Sequence, residues 1–220
     1  MSTWAILAAA GSGERLGADR PKAFVALGEL PLLAESMQRL DDSDWVDAVV
    51  VAAPPGWEEP SILLAEELGA GKVSTVVTGG ATRAESVRLA LAEVPSDAVV
   101  VLVHDAARPL LDDEVIGRVL APLGEGWDGV VPALPLRDTV KRVDGDRVVD
   151  TVARDGLVAV QTPQAFVADA LRRAAATGGD ATDCAALVEA AGGRIRWVEG
   201  DPRLLKVTTT ADLELVASWL

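Results

Sequence analysis

The chain has 220 residues, half of them hydrophobic and a quarter charged, with a formal net charge of −14. That length allows one large domain or two small ones, and the composition suits a globular protein with a sizeable core. The acidity excludes a general nucleic-acid binder, which would show a basic face, and no apolar run approaches the ~20 residues of a membrane span.

Residues 3–9 read as a buried strand that runs into Ala8-Ala9-Ala10-Gly11-Ser12-Gly13, a turn with almost no side-chain bulk. Backbone N–H groups in such a turn can approach phosphate oxygens closely. Arg15 and Lys22 follow as a planar fork and a mobile point charge. This pattern suits a seat for a nucleoside triphosphate; the plain alternative is a strand-to-helix turn with two surface cations. The third glycine of a dinucleotide fingerprint would fall at Leu16, and Lys22 is followed by Ala23 rather than Ser or Thr. A nicotinamide site and a P-loop are both poor fits. The start has no basic stretch leading into an apolar one, so no secretory leader is expected.

Leu30 to Leu40 carry apolar residues at helical spacing, and Asp47 to Ala53 form a second buried strand. Pro60 to Leu68 read as a helix with proline at its start, and Val73 to Val77 as a third strand. Gly79-Gly80 follow, permitting either close backbone approach or merely a turn. Thr82 to Glu93 read as a helix with Thr82 and Glu85 in a capping-box pattern, and Arg83 and Ser86 on its first turn. Ala98 to Val103 is a fourth strand, Asp112 to Leu120 a helix, and Gly129 to Leu134 a strand. Continuous apolar strands alternating with helices predict an α/β fold: a mostly parallel sheet covered by helices on both faces.

Ligands of such sheets bind at the carboxyl ends of strands. His104-Asp105-Ala106-Ala107-Arg108-Pro109 follows the fourth strand. A carboxylate there, among phosphate-binding cations, suits Mg²⁺, which takes one or two carboxylates plus phosphate oxygens. Asp105 is therefore the candidate metal ligand; the competing reading is a salt bridge from Asp105 to Arg108. His104, the only histidine, reads as structural.

The pattern changes at about 137–155. Two alternating stretches flank Asp144-Gly145-Asp146, a hairpin signal. A hairpin with so little core of its own should project and pack on a second subunit. The expected organisation is one domain over 1–220 with this β-arm. Gln161-Thr162-Pro163-Gln164 follows a strand-like stretch, Thr182-Asp183 reads as a helix N-cap, and Lys206-Val207-Thr208 reads as the end of a strand. The single cysteine, Cys184, allows no internal disulfide and suits a reducing cytoplasm.

Together these segments resemble the 2-C-methyl-D-erythritol 4-phosphate cytidylyltransferases of the non-mevalonate isoprenoid pathway. The first motif is shared by many nucleotidyltransferases. Its combination with Gly-Gly-x-x-Arg-x-x-Ser, His-Asp-Ala-Ala-Arg-Pro, Asp-Thr-Val-Lys and Thr-Pro-Gln is far more specific, and the likeness covers nearly the whole chain. The resemblance implies a Rossmann-like α/β fold in which Ala9, Ala10, Gly11, Gly80, Ser86 and Ala106 hold the cytidine nucleotide. It implies that Arg15 and Lys22 grip its phosphates and carry the catalysis. Asp105 would serve Mg²⁺ and approach the sugar-alcohol phosphate, and Arg108, Thr162 and Lys206 would hold that phosphate. Thr139 and Arg154 would reach the neighbouring site of a homodimer formed through the β-arm. The implied reaction joins CTP to methylerythritol 4-phosphate with release of pyrophosphate. A ribitol 5-phosphate cytidylyltransferase and a non-catalytic nucleotide-binding module are the alternatives. The chain departs from the family pattern at Leu204, where many members carry Asn; at Cys184, where an acid is frequent; and at Val158, where an aromatic is usual. Whether Asp201 replaces the missing asparagine is left open.

Overall fold

The computed structural model describes residues 2–11, 13, 19–178 and 181–220. The apolar runs of the N-terminal half become parallel strands: β1 (Thr3–Ala8), β4 (Ala48–Ala53), β5 (Val73–Thr78) and β6 (Val100–Asp105). Between them come the short ladder β2 (Ala26–Leu27) with β3 (Leu30–Pro31), then helices α1 (Leu32–Asp42), α2 (Glu58–Leu68) and α3 (Arg83–Ala92). The second half adds α4 (Asp113–Leu120), β7 (Gly129–Pro135), β8 (Val140–Asp144), β9 (Arg147–Val152), β10 (Val158–Val160) and β11 (Gln164–Val167). Helices α5 (Ala168–Ala176) and α6 (Cys184–Ala190), strand β12 (Ile195–Glu199) and helix α7 (Thr210–Ala217) complete the described elements.

The apolar strands are covered on both faces, and alternation within them assigns the faces. Ile6, Val50, Ala52, Val101 and Val103 pack with Val87 and Leu91 of α3, Leu171 of α5 and Val188 of α6. Their neighbours Leu7, Val49, Val51 and Leu102 turn the other way, onto Leu33 and Met37 of α1, Ala65 of α2 and Ile116 of α4. Side chains such as Ile6 and Leu7 are wholly buried, and each such burial stabilises the fold by about 1.5–3 kcal/mol.

The sheet is mostly parallel, with one interruption the sequence does not announce. Strand β11 runs antiparallel between β6 and β7, and β10 runs antiparallel along the same edge of β7. The two are halves of one path beside β7, broken by Gln161-Thr162-Pro163 with a cis Thr162–Pro163 bond. That break pushes Thr162 toward the end of β6. Strand β12 closes the opposite side of β7 in parallel.

Several boundaries differ from the sequence reading. The first helix begins at Leu32 because Leu30-Pro31 is held in the β2–β3 ladder. Helix α2 begins two residues before Pro60. Thr82 caps α3 by accepting from the Glu85 N–H, but the Glu85 carboxylate accepts from Ala81 N–H at 2.8 Å rather than completing the box on Thr82. Lys206 lies in the loop between β12 and α7, not in a strand. Asp183 caps α6, accepting from Ala186 N–H at 2.9 Å. Strands β8 and β9 form a separate two-stranded sheet turning at Gly145, and Val143, Val148 and Val149 on it are exposed.

Candidate active site

The carboxyl ends of β5, β4, β1 and β6 are stitched together beyond the strands themselves. Gly79 N–H donates to Ala53 O at 2.8 Å, Ala9 N–H to Ala52 O at 2.9 Å, and Ala106 N–H to Ala8 O at 3.0 Å. Above this floor lies a cavity of about 360 Å³, within the range of small-molecule sites. Alanines 8–10 and 106–107, with Gly11 and Gly80, make much of its wall. Among the described residues, its charged side chains are Lys22, Arg83, Lys206 and Asp105. Three cations against one carboxylate, in a chain of net charge −14, make this a locally positive pocket suited to an anion.

Asp105 is the last residue of β6 and pairs in register with Ala8. Its Oδ1 accepts from Arg83 Nε at 2.8 Å and its Oδ2 from Lys206 Nζ at 2.7 Å. Burial alone would raise the pKa of this carboxyl, but Arg83 and Lys206 outweigh it and hold the group well below the usual carboxylate range. The salt bridge weighed from the sequence, Asp105 with Arg108, does not form. The Arg108 guanidinium turns away and donates from Nη1 to Leu204 O at 2.6 Å. Burial lowers the Arg108 pKa.

Lys206 is placed by its neighbours. Val207 N–H donates to Ala107 O at 2.8 Å, tying the loop to the segment after β6. Two residues on, Thr208 donates from its N–H and hydroxyl to Asp212 Oδ2, and Asp212 completes a capping box with Thr209 at the start of α7. Lys22 opens a 3₁₀ turn, Lys22–Phe24, whose Phe24 ring stacks on Trp57 with centroids 4.5 Å apart. Gly13 lies against Lys22 with φ +72°, where a Cβ would come within 2.5 Å of the Lys22 Cβ. Only glycine fits that contact and that backbone angle without strain. Ser86 closes the glycine pair: its hydroxyl accepts from Gly80 N–H at 3.0 Å and donates to Thr82 O at 2.9 Å.

Residues 3–220 match the family model described as 2-C-methyl-D-erythritol 4-phosphate cytidylyltransferase. The chain belongs to this family. It is 48% identical to the enzyme of that name from Saccharopolyspora erythraea, with both chains fully covered. It is 46% identical to that of Nocardia farcinica, over all of this chain and 94% of the other. The crystal structure of the Thermus thermophilus member superposes with a TM-score of 0.80 at 34% identity, covering 97% of this chain and 96% of that one. The chain is thus a nucleotidyltransferase of the cytidylyltransferase kind.

Of the residues singled out in the sequence for this cytidylyltransferase, Ala9, Ala10, Gly11, Lys22, Gly80, Ser86, Asp105, Ala106 and Lys206 line the one cavity. Thr162 and Arg108 stand behind its wall. Thr162 Oγ1 accepts from Asp105 N–H at 3.1 Å, and Arg108 ends on Leu204 O. Thr139 and Arg154 are exposed at the base of the hairpin and do not line the cavity, and Arg154 donates to the Arg137 carbonyl. Arg15 lies outside the described residues. Asp201 does not replace the missing asparagine at the cavity. Its Oδ1 accepts from Arg203 N–H at 2.7 Å, and its backbone is paired on both sides by the Gln161 amide. Arg83, which the sequence placed on the first turn of α3 without giving it a role, also lines the cavity. Its spacing three residues before Ser86, on the first turn of α3, carried the signal.

Proposed function

We propose that this chain transfers CMP from CTP to 2-C-methyl-D-erythritol 4-phosphate, giving 4-diphosphocytidyl-2-C-methyl-D-erythritol and pyrophosphate for isoprenoid precursor synthesis. The observation that carries the reading is the cavity at the carboxyl ends of β1 and β6, lined by Lys22 and by Asp105 with Arg83 and Lys206 on its two oxygens. The family match supplies the substrates.

The attacking group is a phosphate oxygen, already ionised near neutrality, so no general base is needed. That agrees with a chain whose one histidine is wholly buried and whose one cysteine is buried too. The difficulty is to bring two anions together, and the remedy is positioning plus charge stabilisation. The alanine–glycine wall admits the nucleotide at close range. Lys22, with Arg15, neutralises charge on the pentavalent state at the α-phosphorus and on departing pyrophosphate. Lys206 holds the acceptor phosphate in line.

The donor set fits a divalent cation with Asp105 as the single protein ligand. An ionised carboxylate has about four lone-pair sites, and Arg83 and Lys206 take two. Mg²⁺ held there would draw its remaining ligands from phosphate oxygens and water. When bound it would add positive charge beside the triphosphate.

Two chains would pair through the β8–β9 hairpin, bringing Thr139 and Arg154 of each to the other's cavity. The exposed Val143, Val148 and Val149 favour this. A cytoplasmic setting fits the lone buried Cys184, and no helix among the described residues is long and apolar enough to cross a membrane.

The test is Mg²⁺-dependent pyrophosphate release from CTP with methylerythritol 4-phosphate and ribitol 5-phosphate in parallel. Release with the first acceptor alone is expected. Release with the second alone would move the enzyme to another acceptor, and silence with both, from protein that still binds CTP, would sink the reading.

A further inference from the structure

Arg83 sits in a place that helix stability does not favour. It is the first residue of α3, directly after the Thr82 cap. A cation there faces the positive end of the helix dipole. Its guanidinium is also incompletely satisfied. Nε donates to Asp105, Nη1 reaches only the Cys184 sulfur at 3.5 Å, and Nη2 is buried with no hydrogen-bond partner. A thiol is a weak acceptor. A buried donor left unpaired is a cost, and its retention calls for an explanation other than packing.

The explanation lies in the charge of the cluster. Lys206 and Asp105 alone would be a neutral pair, and the carboxylate would cancel the ammonium that faces the cavity. With Arg83 on the other carboxylate oxygen, the three groups carry one net positive charge. Arg83 is the more enclosed partner and Lys206 the more open one, with side chains 22% and 41% exposed. The surplus charge is therefore presented to the cavity through Lys206.

We propose that Arg83 is a positioning residue for the acceptor: by engaging the Asp105 oxygen that Lys206 does not, it leaves the Lys206 ammonium available to the acceptor phosphate. The proposal rests on the reading of the site given above. It predicts a loss confined mainly to one substrate. Replacing Arg83 by a neutral side chain leaves Lys206 and Asp105 as a neutral pair, so affinity for the acceptor anion drops while the alanine–glycine wall for the nucleotide stays in place.

The experiment compares the wild type with Arg83→Gln and Arg83→Lys. Steady-state pyrophosphate release gives kcat and the KM of each substrate, and calorimetry in EDTA gives binding of the acceptor and of inorganic phosphate. Arg83→Gln should raise the acceptor KM about tenfold or more, the scale of one charge-assisted contact, and change the CTP KM less than about threefold. Arg83→Lys, which restores the charge with a single donor head, should recover most of the loss. An acceptor KM within twofold of wild type in Arg83→Gln would overturn the proposal. So would equal losses on both substrates together with a lowered unfolding midpoint. If Arg83→Gln does not fold, Arg83→Met takes its place; failure of both neutral variants to fold, with Arg83→Lys folding normally, would make the role structural and overturn the proposal. A silent wild type would instead refute the assigned reaction. The phosphate titration would then still decide the point, since weaker binding in Arg83→Gln than in wild type is expected and equal binding would overturn it.

Discussion

Thr162 Oγ1 gives its proton to Nδ1 of His104 across 3.1 Å. The direction follows from the other ring nitrogen. Nε2 faces the carbonyl of Arg108 at 3.0 Å, and a carbonyl only accepts, so Nε2 carries the hydrogen. Nδ1 of the neutral ring must then accept. Thr162 is left to accept from Asp105 N–H, which it does at 3.1 Å. One buried imidazole thus ties the two ends of the His104–Arg108 turn to the break between β10 and β11, and Asp105 is held by its backbone as well as its side chain.

This arrangement predicts a pH dependence of stability. Burial is the main cause that lowers the His104 pKa, to about 4; Asp105 and the Arg108 carbonyl push it up, and the Arg108 and Arg83 cations push it down. In the unfolded chain the ring titrates near 6.5. Between those values the unfolded state binds the extra proton, so stability is fully present above about pH 6.5 and is lost as pH falls toward 4. The contribution is at most about 3 kcal/mol. Urea unfolding in EDTA should show the advantage of wild type over His104→Gln shrinking through that window. A difference that stays constant with pH would contradict the neutral, relay-bound ring.

Two glycines at the cavity should differ in what alanine costs the fold. A Cβ on Gly79 would lie 2.2 Å from the Ala10 Cβ and 3.0 Å from the Ala53 carbonyl, where neither backbone can yield cheaply. A Cβ on Gly11 meets nothing within 4 Å. Gly79→Ala is expected to destabilise by about 1–3 kcal/mol, the usual cost of overpacking, and to weaken CTP binding. Gly11→Ala should leave the unfolding midpoint near that of wild type and reduce CTP affinity by projecting into the cavity. Thermal unfolding paired with nucleotide titration checks both, and an unchanged midpoint in Gly79→Ala would show that the floor is looser than its hydrogen bonds imply.

The parts of this molecule legible in its sequence are those that depend on local pattern. Val49-Val50-Val51 and Val100 to Val103 announce buried strands because every position is apolar, and Asp105 stands out because it is charged at the end of such a run. Gly80 and the alanines after β1 are visible because small residues follow directly on apolar strand runs. What escaped depends on chain segments far apart. Arg83 and Asp105 are separated by 22 positions, and no periodicity links a helix N-terminus to the end of the next strand. Strands β10 and β11 have only three and four residues, too short for a pattern to show that they run against the rest of the sheet. The turn of Arg108 toward Leu204 O depends on a loop 96 positions away. The local signs that α3 carries more than packing were Arg83 and Ser86, three residues apart on its first turn after the glycine pair.

The hairpin makes a prediction about assembly. Among the described residues, β8 and β9 pair only with each other, and Val143 and Val148 are 61% and 56% exposed. An isolated two-stranded ribbon with apolar side chains in water is marginal. A second copy of this chain would cover them. Replacing both Val143 and Val148 by lysine should shift sedimentation from dimer toward monomer and lower turnover with it, because Thr139 and Arg154 would no longer meet a neighbouring cavity. A wild-type chain that sediments as a monomer at micromolar concentration would remove the basis for the arm's role.

Lys22 makes the sharpest prediction for the chemistry. It lines the cavity from a short turn held by the Phe24–Trp57 stack and by the close approach of Gly13, so its backbone position does not depend on its own side chain. Removing the ammonium should therefore leave the fold intact. If Lys22 neutralises charge that develops at the α-phosphorus and on departing pyrophosphate, its loss resembles the loss of one oxyanion donor, ~3–4 kcal/mol or ~10²–10³ in rate. Lys22→Ala should then lower kcat by at least about that factor, with an unfolding midpoint close to wild type. Because the interaction strengthens only as charge develops, the CTP KM should change far less than kcat. A purified, folded Lys22→Ala enzyme with a near-normal kcat would show that the phosphates are stabilised from elsewhere.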